Sequence, residues 1–286
     1  MQKRISYLAG SWYPKKSESC ENAIKDYQKK SKIINDKNLF YKIGIVPHAG
    51  WLYSGVLAHS VIYNISRYAN PDIIFLAGGH LSFYDNFYFM AECEVETPFG
   101  ALRCIDDYHN DLTKNLKYKI EEADDYEPDN TTELQLPFLK YYFPNAKIVI
   151  VRIPPNETAL IFSENLTNLI NKKNLNFIFI ASSDLTHYGF RFNFMPAGKG
   201  AAALDWVKNQ NDKSIIDAAL NLQSRKILEL ANTKHNACCS GAIAAAAELA
   251  FLLNRKNAKL VDYYTSADVM QDEDTSDFVG YAGIIY

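Results

Sequence analysis

Short runs dense in β-branched and aromatic residues alternate along the chain with longer stretches whose apolar positions return at helical spacing. The runs at 42–46, 72–76, 147–152, 176–181, 260–264 and 278–286 predict strands. The stretches at 17–34, 54–68, 132–142, 157–172, 201–210, 212–221, 223–231 and 240–253 predict helices. Strand followed by helix, repeated in this way, predicts an α/β fold with a largely parallel or mixed central sheet and helices on both faces. One segment breaks the rhythm. Strand-like residues at 86–96 and 101–106 flank Thr97-Pro98-Phe99-Gly100, whose Pro and Gly suit a tight turn, so a β-hairpin insertion is expected there. No internal repeat, low-complexity stretch or Pro/Gly/Ser linker divides residues 1–286, which read as a single domain.

Composition narrows the function classes. Lys and Arg number 30 against 33 Asp and Glu, a formal charge of −3. The basic residues do not cluster beyond adjacent pairs, so nucleic acid is not an expected partner. The basic start Met1-Gln2-Lys3-Arg4 runs into Tyr7, Gly10, Ser11 and Pro14 instead of a continuous apolar stretch. The longest apolar run, Ile243 to Leu253, carries Glu248 and is too short for a bilayer. A cytoplasmic protein with no membrane partner is the expectation. Five Cys are too few, and odd in number, for a disulfide scaffold, so a thiol that matters is a ligand or a nucleophile. A turn at 97–100 sets Cys93 directly opposite Cys104, slightly wide for an easy disulfide, and in a reducing compartment both are expected as free, packed thiols.

The polar chemistry collects where strands end, the edge at which open α/β sheets bind ligands. Pro47-His48-Ala49-Gly50 follows the strand at 42–46, Gly78-Gly79-His80 the strand at 72–76, and Ser182-Ser183-Asp184-Leu185-Thr186-His187 the strand at 176–181. Small residues let the backbone turn sharply there and leave a polar side chain on that edge. A fourth contribution, Asn236-Ala237-Cys238-Cys239-Ser240-Gly241, precedes an Ala-rich helix whose N-terminus lowers the pKa of a nearby thiol. His48, His80 and Cys238, two imidazoles and a thiolate, make a candidate metal set with open positions for water, oxygen or substrate. Successive residues point in different directions, so one of Cys238 and Cys239 is expected to face the metal; spacing does not choose between them. The set is borderline soft and suits Zn, Cu or Fe(II), with sulfur where a two-His-one-carboxylate triad has oxygen. Asp184 and His187 would orient the ligands or serve as acid and base.

These ordered motifs resemble the Memo family, also called AmmeMemoRadiSam system protein B, whose fold is similar to the class III extradiol dioxygenases. The resemblance spans almost the whole chain. It is carried by Ala9-Gly10-Ser11-Trp12-Tyr13-Pro14, Pro47-His48-Ala49-Gly50 through Tyr53-Ser54-Gly55, Thr97-Pro98-Phe99-Gly100, Gly78-Gly79-His80, Ser182-Ser183-Asp184-Leu185-Thr186-His187-Tyr188 and Phe278-Val279-Gly280-Tyr281-Ala282. It implies a pocket in which His48, His80 and Cys238 are metal ligands. Cys238 is the member of the pair that stands five residues before Ile243, as in the family pattern, and Cys239 then occupies a position usually held by Gly. The family is associated with copper or iron binding and redox chemistry, and also with non-enzymatic recognition of phosphotyrosine peptides. The chain departs from the family at Asp129-Asn130-Thr131-Thr132-Glu133-Leu134-Gln135-Leu136-Pro137, where the family usually reads Glu-His-Ser-x-Glu-x-Gln/His-Leu-Pro. Glu133 and Gln135 match, but Asn130 replaces a His, so a neutral amide stands where an imidazole could titrate or bind metal.

The leading expectation is a metal-dependent (iron or copper, with zinc also suited) oxidoreductase or dioxygenase-like enzyme acting on a small substrate, with His187, Asp184 and Glu133 as catalytic residues. Glu133 is equally suited to capping or pairing within its own helix. One rival makes Cys238 the nucleophile of a hydrolase, activated by His187 and oriented by Asp184. Another is a non-catalytic module that holds a peptide or protein partner in a degenerate pocket. Trp12, Trp51 and Tyr53 either line the mouth of the pocket or pack the core, and packing is expected for most of them. His59, His109 and His235 are read as structural or surface residues.

Overall fold

The computed structural model describes residues 2–35, 40–125, 128–255, 257–271 and 276–286. Its strands are β1 (Lys3–Arg4), β2 (Ile43–Val46), β3 (Ile73–Gly78), β4 (Phe87–Met90), β5 (Cys93–Val95), β6 (Leu102–Cys104), β7 (Tyr118–Glu121), β8 (Lys147–Arg152), β9 (Phe177–Ser182), β10 (His187–Tyr188), β11 (Lys259–Thr265) and β12 (Phe278–Ile285). The α-helices are α1 (Ser17–Lys30), α2 (Trp51–Ser66), α3 (His109–Leu112), α4 (Asn130–Glu133), α5 (Leu136–Tyr142), α6 (Thr158–Lys173), α7 (Ala201–Trp206), α8 (Asp212–Leu220), α9 (Ser224–Lys234), α10 (Ser240–Leu252) and α11 (Ser266–Met270).

The central strands are apolar at nearly every position because both faces of the sheet are covered. Ile43, Ile45, Ile73, Phe75, Phe177 and Phe179 project to one side, against Leu166 of α6, Ile215 of α8, Ile227 of α9 and the alanines of α10. The alternate positions Val46, Ile74, Leu76, Ile178 and Ile180 project to the other, against Ile24 of α1, Val61 and Ile65 of α2 and Phe138 of α5. Each such Ile or Phe contributes about 1.5–3 kcal/mol on burial, so these strands are fixed from both sides. The strand order is β1-β5-β6-β8-β3-β9-β2-β12-β10, with β11 paired to β12 and β4 to β7 and β8. Neighbours from β8 through β3 and β9 to β2 are parallel, and β12 closes on β2 antiparallel, so the sheet is mixed. Parallel neighbours end at one edge. The segments after β2, β3 and β9 therefore meet there.

The expected hairpin forms between β5 and β6 with Cys93 opposite Cys104, but its first arm is broken. β4 leaves the hairpin to pair with β7 and β8, while β1 adds to the free edge of β5. The helix expected at 132–142 is likewise split into α4 and α5. Pro137 sits in the first turn of α5, where its missing N–H costs nothing, and so starts a new helix. The stretch at 201–210 becomes α7 followed by a π-helical turn, Val207–Asn211, that leads directly into α8. Among the described residues, no helix is long and apolar enough to cross a membrane.

Candidate metal centre

His48 leaves β2 into a segment that three neighbours hold in place. Its backbone N–H donates to Asp184 Oδ1 (2.7 Å), and its carbonyl accepts from Asn130 Nδ2 (3.1 Å). Gln135 Nε2 donates to the Pro47 carbonyl (2.9 Å) and to Ser182 Oγ (3.3 Å). Ser182 Oγ in turn lies 3.1 Å from His48 Nδ1. The imidazole, 1% exposed, is thereby turned so that Nε2 faces Cys238 Sγ at 3.1 Å. An imidazole with one nitrogen committed to a fixed partner presents the other to a ligand in a defined direction.

His80 follows β3 through Gly78-Gly79. Gly79 has φ +104°, and a Cβ there would lie 2.5 Å from Arg152 Cβ, so only glycine fits this turn. Its N–H donates to Thr131 Oγ1 (2.9 Å), which docks α4, with Asn130 at its start, against the turn that carries His80. The His80 and His48 rings stand edge to face, centroids 5.1 Å apart.

Cys238 and Cys239 precede α10, whose N-terminus is pressed against the exit of β8. A Cβ at Gly241 would lie 2.3 Å from the Ile153 carbonyl oxygen. The Cys238 N–H donates to the Asp184 carbonyl (3.2 Å), the Asp184 N–H points at Cys238 Sγ from 3.3 Å, and the Cys239 N–H donates to Ser183 Oγ (3.1 Å). Contrary to the expectation that one sulfur of the pair would face the imidazoles, both do. A nitrogen from each of His48 and His80 and the Sγ atoms of Cys238 and Cys239 all lie within 4.8 Å of one another. These residues offer the donor atoms a soft or borderline cation takes, so the group can hold a metal ion.

The charges agree with that reading. Burial opposes a Cys238 thiolate, but its hydrogen bond with Cys239 and the charge of His48 outweigh burial and hold the thiol well below its ordinary value. Burial likewise opposes a charged His48, yet the Cys238 thiolate and the Asp184 carboxylate raise its pKa to about 9. Burial pushes the Asp184 carboxyl up, against the pull of His48.

The group opens on a cavity of about 1400 Å³. Asp184 and His187 line it beside His48, His80 and Cys238, with His187 Nε2 3.9 Å from Asp184 Oδ2 and its ring 5.0 Å from that of Phe192. The imidazole against the thiol is thus His48, not the His187 that the nucleophile reading placed there. Glu133 is not brought to the cavity. Its carboxylate accepts from the backbone N–H groups of Tyr7 (3.2 Å) and Leu8 (2.7 Å) and from Tyr13 Oη (3.1 Å), anchoring the N-terminal segment. Trp51 packs in the core, stacked on Phe138, but Trp12 and Tyr53 line the cavity, as does His235, so packing holds for one of the three aromatics. His59 is buried, bonded to Ser31 and Tyr142.

Asp212 escaped the sequence reading. It is fully buried at the end of the π-helical turn, where its Oδ1 accepts from Thr186 N (3.0 Å) and from Thr186 Oγ1, and its Oδ2 from Tyr263 Oη (2.8 Å). Burial, opposed by the bonds from Thr186 and Tyr263, raises its pKa to about 6. It braces the loop that carries Asp184 and His187. The π turn ends with Asn211 and Asp212 both bonded to Thr186, and no local sequence pattern marks such a turn.

An α/β protein with a His/Cys cluster at the ends of parallel strands is the class defined so far. Residues 4–285 match the Memo-like protein family, and the chain belongs to it. It is 28% identical over 285 residues to a MEMO1 family protein of Methanosarcina barkeri, covering 97% of each chain. It is 29% identical over 291 residues to a MEMO1 family protein of Methanosarcina mazei, covering 100% of this chain and 99% of that one. A crystal structure of an uncharacterized protein from Escherichia coli K12 superposes with a TM-score of 0.49 at 10% identity, over 85% of this chain and 99% of that one.

Proposed function

We propose that this protein is a metal-dependent oxidoreductase whose iron or copper ion is held by His48, His80 and Cys238 and whose small, partly aromatic substrate occupies the adjoining cavity. The observation that carries the reading is the convergence of these donors, from the ends of β2 and β3 and the loop before α10, on one cavity wall. When bound, the ion supplies Lewis acidity and a one-electron redox change. The protein supplies the rest. Ser182 and Gln135 hold the His48 ring, Asp184 ties the His48 backbone to the Cys238 loop, and His187 presents its imidazole to the cavity. Trp12, Tyr53, Phe192 and Phe194 present aromatic surface to a substrate and narrow the access of water.

Metal analysis of the protein purified without a His tag, beside His48→Ala and His80→Ala, tests this. Near-stoichiometric iron or copper in the wild type and its loss in both variants is expected; equal metal in all three sinks the reading. One observation favours a second reading: the 3.1 Å contact between Cys238 Sγ and His48 Nε2 is also that of a thiolate–imidazolium nucleophile pair. Under that reading Cys238 alkylates rapidly at neutral pH in the protein as purified, and a chelator does not change the rate.

A further inference from the structure

Adjacent residues in a loop ordinarily present their side chains to different surroundings, and the pair before α10 does not. Cys239 has φ −126° and ψ 54°, neither helical nor extended, and its backbone N–H is tied to Ser183 Oγ; its side chain lies on the same side as that of Cys238. The two sulfurs are 3.7 Å apart. Two thiolates bound at about 2.3 Å to one tetrahedral ion stand about 3.8 Å from each other, so the pair already has the separation that shared ligation demands. Cys239 Sγ also lies within 4.8 Å of the donor nitrogens of both imidazoles, and its side chain is 2% exposed, out of reach of bulk solvent.

From this geometry we propose that Cys239 Sγ is a fourth protein ligand, making the centre a closed site of two imidazoles and two thiolates. The proposal rests on the reading of His48, His80 and Cys238 as ligands given above and adds to it. On ligation the Cys239 S–H bond is broken, its proton passes to solvent, and no electron changes hands. Two thiolates shift the preference of the site among the metals it suits towards zinc or copper(I) and away from iron. Four protein ligands also fill a tetrahedral ion. A substrate in the cavity then reaches the metal only where one ligand lets go, so Cys239 sets whether the resting centre is open or closed.

The experiment is zinc X-ray absorption on the full-length, untagged protein loaded with one equivalent of Zn(II). Cobalt(II) absorption is measured in parallel on the wild type, Cys239→Ala and Cys239→Ser. The expected result is two sulfur neighbours around zinc in the wild type. In both variants the thiolate-to-cobalt absorption per bound Co(II) falls to about half, and zinc affinity weakens by more than the 10- to 100-fold that losing an outer hydrogen-bond partner costs. The wild-type zinc measurement stands even if neither variant folds. A single sulfur neighbour in the wild type, or cobalt spectra unchanged by the substitutions, overturns the role of Cys239 and leaves the three-ligand reading intact. A wild type that binds neither ion stoichiometrically overturns both.

Discussion

Two pairs of thiols sit close together inside this protein, and their surroundings separate them. Cys93 and Cys104 face each other directly across β5 and β6, both fully buried in the core that Val95, Leu102 and Ile148 share. Cys238 and Cys239 stand beside two imidazoles, Cys238 on the wall of a cavity and Cys239 buried behind it. Within each pair the shared hydrogen bond drives the two thiol pKa values apart: it holds Cys93 down and, with burial, pushes Cys104 well up, just as burial and the hydrogen bond with Cys238 push Cys239 well up. At the other pair, hydrogen bonding and the His48 charge outweigh burial and hold Cys238 down. Sulfur supplies a metal donor only where separate strands bring other donors to it. The hairpin brings a second sulfur and apolar side chains; the strand ends bring nitrogen, a carboxylate and open space.

The largest expected effect breaks this comparison outright if it fails. Cys238→Ala weakens zinc or copper binding by more than about 100-fold, while Cys93→Ala and Cys104→Ala leave the metal content unchanged in elemental analysis. Next, after treatment with a chelator, Cys238 should alkylate at neutral pH at least about 100-fold faster than Cys93 or Cys104. Peptide mapping reads this, and restored metal should protect Cys238. Protection by metal separates ligation from the nucleophile reading. Asp184→Asn removes the carboxylate charge beside His48, and competition titration should show metal affinity lower by about 10- to 100-fold.

The sign of the pH dependence follows from His48. Its pKa is raised to about 9, so at neutral pH it carries a proton that a metal must displace. Metal affinity should therefore rise with pH up to about 9, roughly tenfold per unit for each proton displaced. Affinity that is flat over that range would remove His48 from the ligand set. The smallest effect belongs to the hairpin: Cys104→Ala should cost about 1–2 kcal/mol in denaturant unfolding through lost packing alone.

The comparison also shows what could be read from the chain. Parallel strands share one ligand-binding edge, so residues that follow them meet there whatever their separation in sequence. That rule alone brings His48, His80, Asp184 and His187 to one edge. The hairpin register of Cys93 and Cys104 was legible for a similar reason, since a four-residue turn sets the opposing pairs. Tertiary partners decided the rest. Glu133 is a buried anchor for Tyr7 and Leu8 because the N-terminal segment happens to run past it, and burial raises its pKa against the bonds from Leu8 and Tyr13. Asp212 depends on a π turn, and the shared orientation of Cys238 and Cys239 depends on a hydrogen bond to Ser183 from another loop.

The central claim is the location of the ion. A crystal grown with one equivalent of zinc and measured at the zinc absorption edge answers it directly. The account predicts one strong anomalous peak about 2.0–2.1 Å from a ring nitrogen of His48 and of His80 and about 2.3 Å from Cys238 Sγ. A peak between Cys93 and Cys104, or at surface carboxylates with none at the strand ends, would contradict it.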